Sequence, residues 1–157
     1  MDVSDVRNLG TVALGAVTFL VALASGLIPY VLNIELYLLA VAALTDASPL
    51  PIVGLTTAGQ TVAKLILYQA GRRALNLKWI RRGAASKVAG VFARHPGGSM
   101  AIVAASALTG FPPLYGVSLM AGTLRLSVSA FVAIVVVGRV VRFSAVYLAP
   151  GLFMNHE

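Results

Sequence analysis

The chain has no cysteine and few charged residues. Without cysteine it forms no disulfide, no zinc site with thiolate ligands and no cysteine nucleophile. Charged residues make up 11% of the 157 residues and hydrophobic residues 59%, whereas a soluble domain has about 25% and about 45–50%. The mean hydropathy is +0.90, and a soluble core of this size does not bury so many apolar side chains. The composition therefore predicts one integral membrane domain covering residues 1–157.

Residues typical of enzyme sites are also scarce. His95 and His156 fall at opposite ends of the predicted topology, and no serine lies near a histidine and an acid in a local motif. No carboxylate pair has the spacing of metal ligands, and no glycine-rich phosphate loop is present. We therefore expect neither an enzyme nor a bound metal or cofactor.

Acidic residues number only five against twelve basic ones, for a net charge of +7. Much of the basic charge falls in one stretch between apolar segments, namely at Arg72, Arg73, Lys78, Arg81, Arg82, Lys87 and Arg94. A basic loop between apolar segments is typical of the cytoplasmic side of a membrane protein. No nucleic-acid recognition fold accompanies it, so we expect a cytoplasmic loop and no nucleic-acid partner.

Three apolar segments are long enough to cross the membrane, at residues 10–32, 52–71 and 126–149. About 20 helical residues cross a hydrocarbon layer about 30 Å thick. The residues before the first segment lack the positive charge of a signal peptide, so we expect this segment to be retained. Residues 74–95 are basic and amphipathic, and form either a helix in the headgroup plane of the cytoplasmic leaflet or a solvated connector.

Two further apolar stretches, residues 34–51 and 99–124, are interrupted by polar residues and prolines. In the second, Pro112 and Pro113 remove two backbone donors and disfavour helix in the residue before each. We interpret both stretches as re-entrant helical hairpins that enter from opposite sides, each followed by a spanning helix. The predicted fold is an all-α integral membrane protein with an inverted repeat.

This topology places the N-terminus in the cytoplasm and the C-terminus outside. Three full spans are few to enclose a pathway, so we expect a homodimer.

Lys64 and Tyr68 recur with Thr57 and Thr61 at helical spacing in the second span. We expect this polar face of the helix to lie inside the helix bundle.

Ionisable residues within apolar segments cost about 2.5–3.5 kcal/mol each and are therefore functional candidates. They are Glu35, Lys64, Arg139 and Arg142, with Asp46 and Arg125 at hairpin ends. The alternative for each is structural: an ion pair that joins two segments or, at Arg125, a side chain that snorkels to the interface.

Arg139 and Arg142 share one face of the last span. Their guanidinium groups need partners at this depth. The carboxylate of Glu35 is one candidate, and a phosphate, which guanidinium binds through paired hydrogen bonds, is another. We predict an anion site near the bilayer midplane in which both arginines face Glu35.

Several short motifs follow one another between residues 25 and 150: Pro29 with Asn33, Ile34 and Glu35; Gly59 and Gln60 ahead of Tyr68, Gly71 and Arg72; Gly110, Phe111, Pro112 and Pro113 followed by Ala121, Gly122, Thr123, Leu124 and Arg125; and Gly138 and Arg139 with Arg142 and Phe143. In this order and spacing they resemble the DedA/VTT superfamily of membrane proteins, also called SNARE-associated. Within it they are similar to the YqaA-like branch.

The resemblance implies two opposed re-entrant hairpins and the movement of lipids or lipid-linked phosphates across the cytoplasmic membrane, with proton coupling proposed for bacterial members. It implies that Glu35 and Asp46 are functional carboxylates and that Arg125 is the functional basic residue after the Ala-Gly pair. Typical members carry a further arginine before that pair, where this chain has Leu114 and Tyr115. Arg139 or Arg142 would then take over its role.

The leading hypothesis is a transporter or scramblase whose partners are membrane lipids and whose substrate carries a phosphate headgroup. The alternatives are a proton-coupled exporter of small solutes and a membrane assembly or shaping protein that transports nothing. The expected supporting residues are Lys64, Gln60, Tyr68 and Tyr115, and the expected hairpin tip comprises Gly110, Pro112 and Pro113.

Overall fold

The computed structural model describes residues 3–28, 33–45, 47–73, 92 and 98–154. Over these residues the chain forms six helices and no strand, which confirms an all-helical protein. The helices are α1 (Val3–Leu27), α2 (Ile34–Leu44), α3 (Pro49–Arg73), α4 (Ser99–Thr109), α5 (Leu114–Thr123) and α6 (Val128–Met154). Apart from Phe92, the predicted amphipathic segment 74–95 lies outside the described residues, and so does Asp46.

Three helices in the described part of the chain are long and apolar enough to span a membrane, over Asn8–Leu27, Pro49–Arg73 and Val128–Ala149. They fall on the three segments predicted to span, which confirms three helices that could cross a membrane. The first helix ends at Leu27, earlier than the predicted 32. Pro29 accounts for the early end, because a proline disfavours helix in the residue before it.

The short helices begin and end at residues with local structural roles. The side chain of Asn33 accepts a hydrogen bond of 3.0 Å from the backbone N–H of Glu35, which caps α2 and places Glu35 in its first turn. Gly110 caps the C-terminus of α4, and its φ of 82° lies in the left-handed region. At 1.5 Å per residue, an eleven-residue helix such as α2 is only about 16 Å long.

Helices α1 and α3 run in the same direction. Gly15 lies beside Leu55, and Gly26 lies beside Ala63. Helix α1 therefore ends alongside the middle of α3. Helix α2 then returns along α1, since the hydroxyl groups of Thr18 and Tyr37 share a hydrogen bond of 2.8 Å.

Helix α4 packs on α6 and helix α5 packs on α3, on either side of a turn at residues 110–113. Ala107 of α4 lies against Gly138 of α6, and Gly71 of α3 lies against the backbone of Leu119 in α5. Small residues at helix contacts let backbones approach closely in membrane proteins. Helix α6 runs opposite to α3, because its early part packs near Tyr68 and its later part packs in a cluster with the start of α3.

Candidate functional site

A cavity of about 610 Å³ lies where the ends of the short helices meet the middle of α3 and α6. The end of α1, the start of α2, the turn between α4 and α5, and one face each of α3 and α6 line it. The lining residues with polar side chains are Ser25, Asn33, Glu35, Gln60, Lys64, Tyr115, Arg139 and Arg142.

Glu35 and Arg142 form an ion pair at the edge of this cavity. Arg142 donates from Nε to Oε1 of Glu35 at 2.7 Å, and its Nη2 donates to the same oxygen. Its Nη1 donates to the carbonyl of Leu108 at 3.1 Å. Arg142, on α6, thus links the first turn of α2 to the last turn of α4, and all three of its nitrogens are engaged.

Gly110 leaves space for the guanidinium group of Arg142. A Cβ at this position would lie 2.9 Å from Nη1 of Arg142, and the φ of +82° is one that residues with side chains rarely adopt. The same glycine therefore ends α4 and lets the arginine approach the turn.

Arg139 lies one helical turn before Arg142 and has a different environment. It is 8% exposed, and in the described part of the chain its Nε has no hydrogen-bond partner. Its guanidinium carbon lies 5.4 Å from the ring centroid of Phe143, an arrangement that allows cation–π attraction. The structure therefore holds a buried arginine whose Nε is not satisfied by the described residues.

Lys64 brings a second buried cation to the cavity from α3. It is 3% exposed, and its Nζ donates to the carbonyl of Gly26 at 2.6 Å. Carbonyls in the last turn of a helix lack intrahelical partners, so Lys64 satisfies one at the end of α1. Beside it, Nε2 of Gln60 donates to Oγ of Ser25 at 2.7 Å.

The charges around the cavity do not balance. Among the described lining residues, Lys64, Arg139 and Arg142 are basic and Glu35 is the one carboxylate. Because Glu35 is paired with Arg142, neither Lys64 nor Arg139 has a carboxylate at ion-pair distance among these residues. Buried charges are costly unless they are paired, so an anion in the cavity would stabilise both groups.

Most of the predicted site residues meet at this cavity. Arg142 forms an ion pair with Glu35, whereas Arg139 lies within electrostatic range of Glu35 and has its guanidinium near the ring of Phe143. The other predicted residues that line the cavity are Lys64, Gln60, Tyr115, Gly110 and Pro113.

Three predicted residues have other surroundings. The hydroxyl of Tyr68 donates to the carbonyl of Leu126 at 2.5 Å, and its ring packs on Phe131 in the core. Arg125 is exposed after α5, with a φ of 51°. Pro112 lies at the turn between α4 and α5, where its carbonyl accepts a 2.5 Å hydrogen bond from Oγ of Ser106.

Several residues that build the site were not predicted as site residues. Asn33 carried a usable signal, since an asparagine two residues before a glutamate is typical of a helix N-terminus. Phe143 lies four residues after Arg139 and therefore on the same helix face. Ser25 and the carbonyl of Leu108 gave no signal, because their partners are distant in sequence.

Glu35→Gln is expected to destabilise the protein by about 1–3 kcal/mol. The ion pair is half-buried. The loss of stability should therefore fall between the contribution of a surface ion pair, about 0–1 kcal/mol, and the cost of breaking a buried one, about 3–5 kcal/mol. Thermal unfolding in detergent measures it, and Arg142→Met with the double variant completes a mutant cycle. Strictly additive effects would show that the two side chains do not interact.

Comparison with known proteins gives no further guide to the site. No family model matches the chain, and no match is found among curated proteins or solved structures. The resemblance to the DedA/VTT superfamily stays a prediction from the order of the motifs.

Proposed function

We propose that this protein is a transporter or scramblase that moves an anionic lipid or a lipid-linked phosphate across the cytoplasmic membrane, possessing the activity implied by its DedA/VTT-like motifs. The observation that carries the proposal is the pair of buried cations, Lys64 and Arg139, that line one cavity without a carboxylate partner among its described lining residues. An anionic headgroup would supply the missing charge.

The depth of the cavity supports a role in transport. Arg139 lies near the middle of the candidate span Val128–Ala149. A charge at the centre of a membrane helix costs about 2.5–3.5 kcal/mol, and such residues commonly mark substrate pathways. Substrate sites of many transporters lie near the bilayer midplane, where interrupted helices meet.

Two opposed re-entrant hairpins are proposed, α1 with α2 and α4 with α5. In this arrangement α1, although long enough to span, ends beside the middle of α3 and is one arm of the first hairpin. The contact of Thr18 with Tyr37 supports the first, and the turn at residues 110–113 supports the second. The bond network of Arg142 joins the start of α2 to the end of α4, where the two tips would meet. In this arrangement the first hairpin begins earlier in the chain than residues 34–51.

The helix directions also bear on the proposed topology. With residues 74–95 cytoplasmic, α3 starts outside and α6 ends outside, as predicted for the C-terminus. Because α1 runs parallel to α3, its N-terminus would also lie outside, opposite to the side predicted from the sequence. The sequence pattern predicted the number of apolar segments. It carried no information on the direction in which the first helix runs.

Cysteine labelling tests this topology, since the parent chain has no cysteine. In intact cells, an impermeant maleimide is expected to label Asn8→Cys and Asn155→Cys but to spare Gly83→Cys. Labelling of Gly83→Cys from outside would contradict the whole arrangement. Protection of Asn8→Cys with labelling of Asn155→Cys would restore the predicted cytoplasmic N-terminus.

Reconstitution in lipid vesicles tests the proposed activity. Purified protein should accelerate the transbilayer movement of fluorescent phosphatidic acid, read as the fraction that a membrane-impermeant reductant can reach. Protein-free vesicles are the control. No acceleration would contradict the proposal. Proton flux in a pH-gradient dye assay would then favour an exporter of small solutes, and its absence a protein of membrane assembly or shape.

The homodimer expected from the small number of spans remains part of the proposal. Cross-linking in native membranes would test it, with a single species of twice the chain mass as the expected product.

A further inference from the structure

We propose that Lys64 and Arg139 form an inner subsite that binds a phosphate group, and that the Glu35–Arg142 pair is a separate structural link that does not bind it. The inference deepens the proposed function and rests on it for the view that the phosphate belongs to a transported molecule. The phosphate group itself is inferred from the cavity.

Burial is the first reason to place the anion at these two residues. Both side chains are more than nine-tenths buried, at 3% and 8% exposure, and both line the same cavity. Nε of Arg139 has no hydrogen-bond partner in the described part of the chain. A buried donor without a partner is destabilising, so a ligand that accepts from it is favoured.

The occupied hydrogen bonds of Arg142 are the second reason. Its three nitrogens donate to Glu35 and to the carbonyl of Leu108. A phosphate at Arg142 would have to replace a carboxylate that is already in place and leave that carboxylate unpaired. At Arg139 and Lys64 an incoming anion displaces no carboxylate that the described residues provide.

The chemistry of the two cations favours phosphate over a single carboxylate. Arg139 offers a planar fork of donors, and Lys64 a compact charge of which the Gly26 carbonyl takes one of three donors. A phosphate group has several acceptor oxygens and bears up to two negative charges, so it can accept from both cations at once. A carboxylate neutralises one of them.

The test is phosphate-dependent thermal stabilisation of the full-length protein in detergent at constant ionic strength. The probes are inorganic phosphate and dihexanoyl phosphatidic acid, because either a free phosphate or a lipid headgroup could supply the same chemistry. A ligand that binds the folded state raises the melting temperature with its concentration. We expect the melting temperature of the wild type to rise with probe concentration. Lys64→Gln and Arg139→Gln should need at least about 10-fold more probe for the same rise, because a hydrogen bond to a charged group is worth about 1.5–3 kcal/mol.

Arg73→Gln is the matched control, because it removes one positive charge from an exposed position on the same helix as Lys64. It should respond as wild type does. Lys64→Arg and Arg139→Lys keep the positive charge. They replace the glutamine variants in the binding test if either of those does not fold. Both are expected to bind more weakly than wild type, since the donor geometry differs.

The outcomes separate the subsite from the proposed function. A response to both probes that depends on Lys64 and Arg139 supports a site for phosphate as such, and a response to phosphatidic acid alone supports a lipid source. No response to either probe, or equal responses in every variant, overturns the subsite. Binding that depends on these residues without lipid movement in vesicles keeps the subsite and refutes transport.

Discussion

Gly71→Ala is expected to destabilise the protein by about 3 kcal/mol or more, at or above the upper end of the usual cost of overpacking. A Cβ at Gly71 would lie 2.8 Å from the carbonyl carbon of Leu119 and closer still to its oxygen. These are backbone atoms of α5 and cannot rotate away as a side chain does. Gly122→Ala should behave similarly, because its Cβ would meet the backbone of α3 at the same contact.

Gly54→Ala is the control in the same helix. A Cβ there meets no atom within 4 Å, so the change should be neutral or should stabilise by up to about 1 kcal/mol, the helix propensity difference. Thermal unfolding of the variants in one detergent compares them. Equal melting temperatures for Gly71→Ala and Gly54→Ala would contradict the close packing of α3 on α5.

Arg139→Met is expected to leave stability unchanged or raise it by about 1–3 kcal/mol, because an apolar side chain of similar volume often replaces a buried charge at no cost or with a gain. Methionine can pack on Phe143, as the guanidinium does. The same change removes the charged donors proposed for phosphate. Lipid movement should therefore fall at least about 10-fold, since each hydrogen bond to a charged group contributes about 1.5–3 kcal/mol.

The opposite stability result would give Arg139 a structural role. If Arg139 mainly held the helices together, its replacement by methionine would lower the melting temperature markedly. Arg73→Met removes an exposed arginine and should change neither stability nor lipid movement.

The helical architecture was largely predictable from hydrophobic run length. Within the predicted stretch 34–51, helix α2 covers only the apolar part, Ile34–Leu44, because polar residues and prolines follow it. Pro112 and Pro113 likewise separate α4 from α5. The direction of α1 was not predictable, since run length carries no information on which neighbour a helix packs beside. The contacts of Gly15 and Gly26 with α3 decide it.

The site was predictable in part, because charges in apolar segments need partners. That reasoning linked Glu35 to the arginines at 139 and 142, and the structure pairs it with Arg142. The different environments of the two arginines depend on the Leu108 carbonyl and on the space left by Gly110. Both lie in another helix or turn, so spacing along α6 could not separate them.

The most direct test of the central claim is the rate of lipid movement in vesicles that contain equal amounts of folded wild type, Arg139→Met or Arg73→Met. The claim is that the buried cations of the cavity serve an anionic substrate and not the fold. It predicts rapid movement of fluorescent phosphatidic acid with wild type and Arg73→Met, and loss of movement with an Arg139→Met variant that melts no lower than wild type. Undiminished movement with Arg139→Met would contradict it.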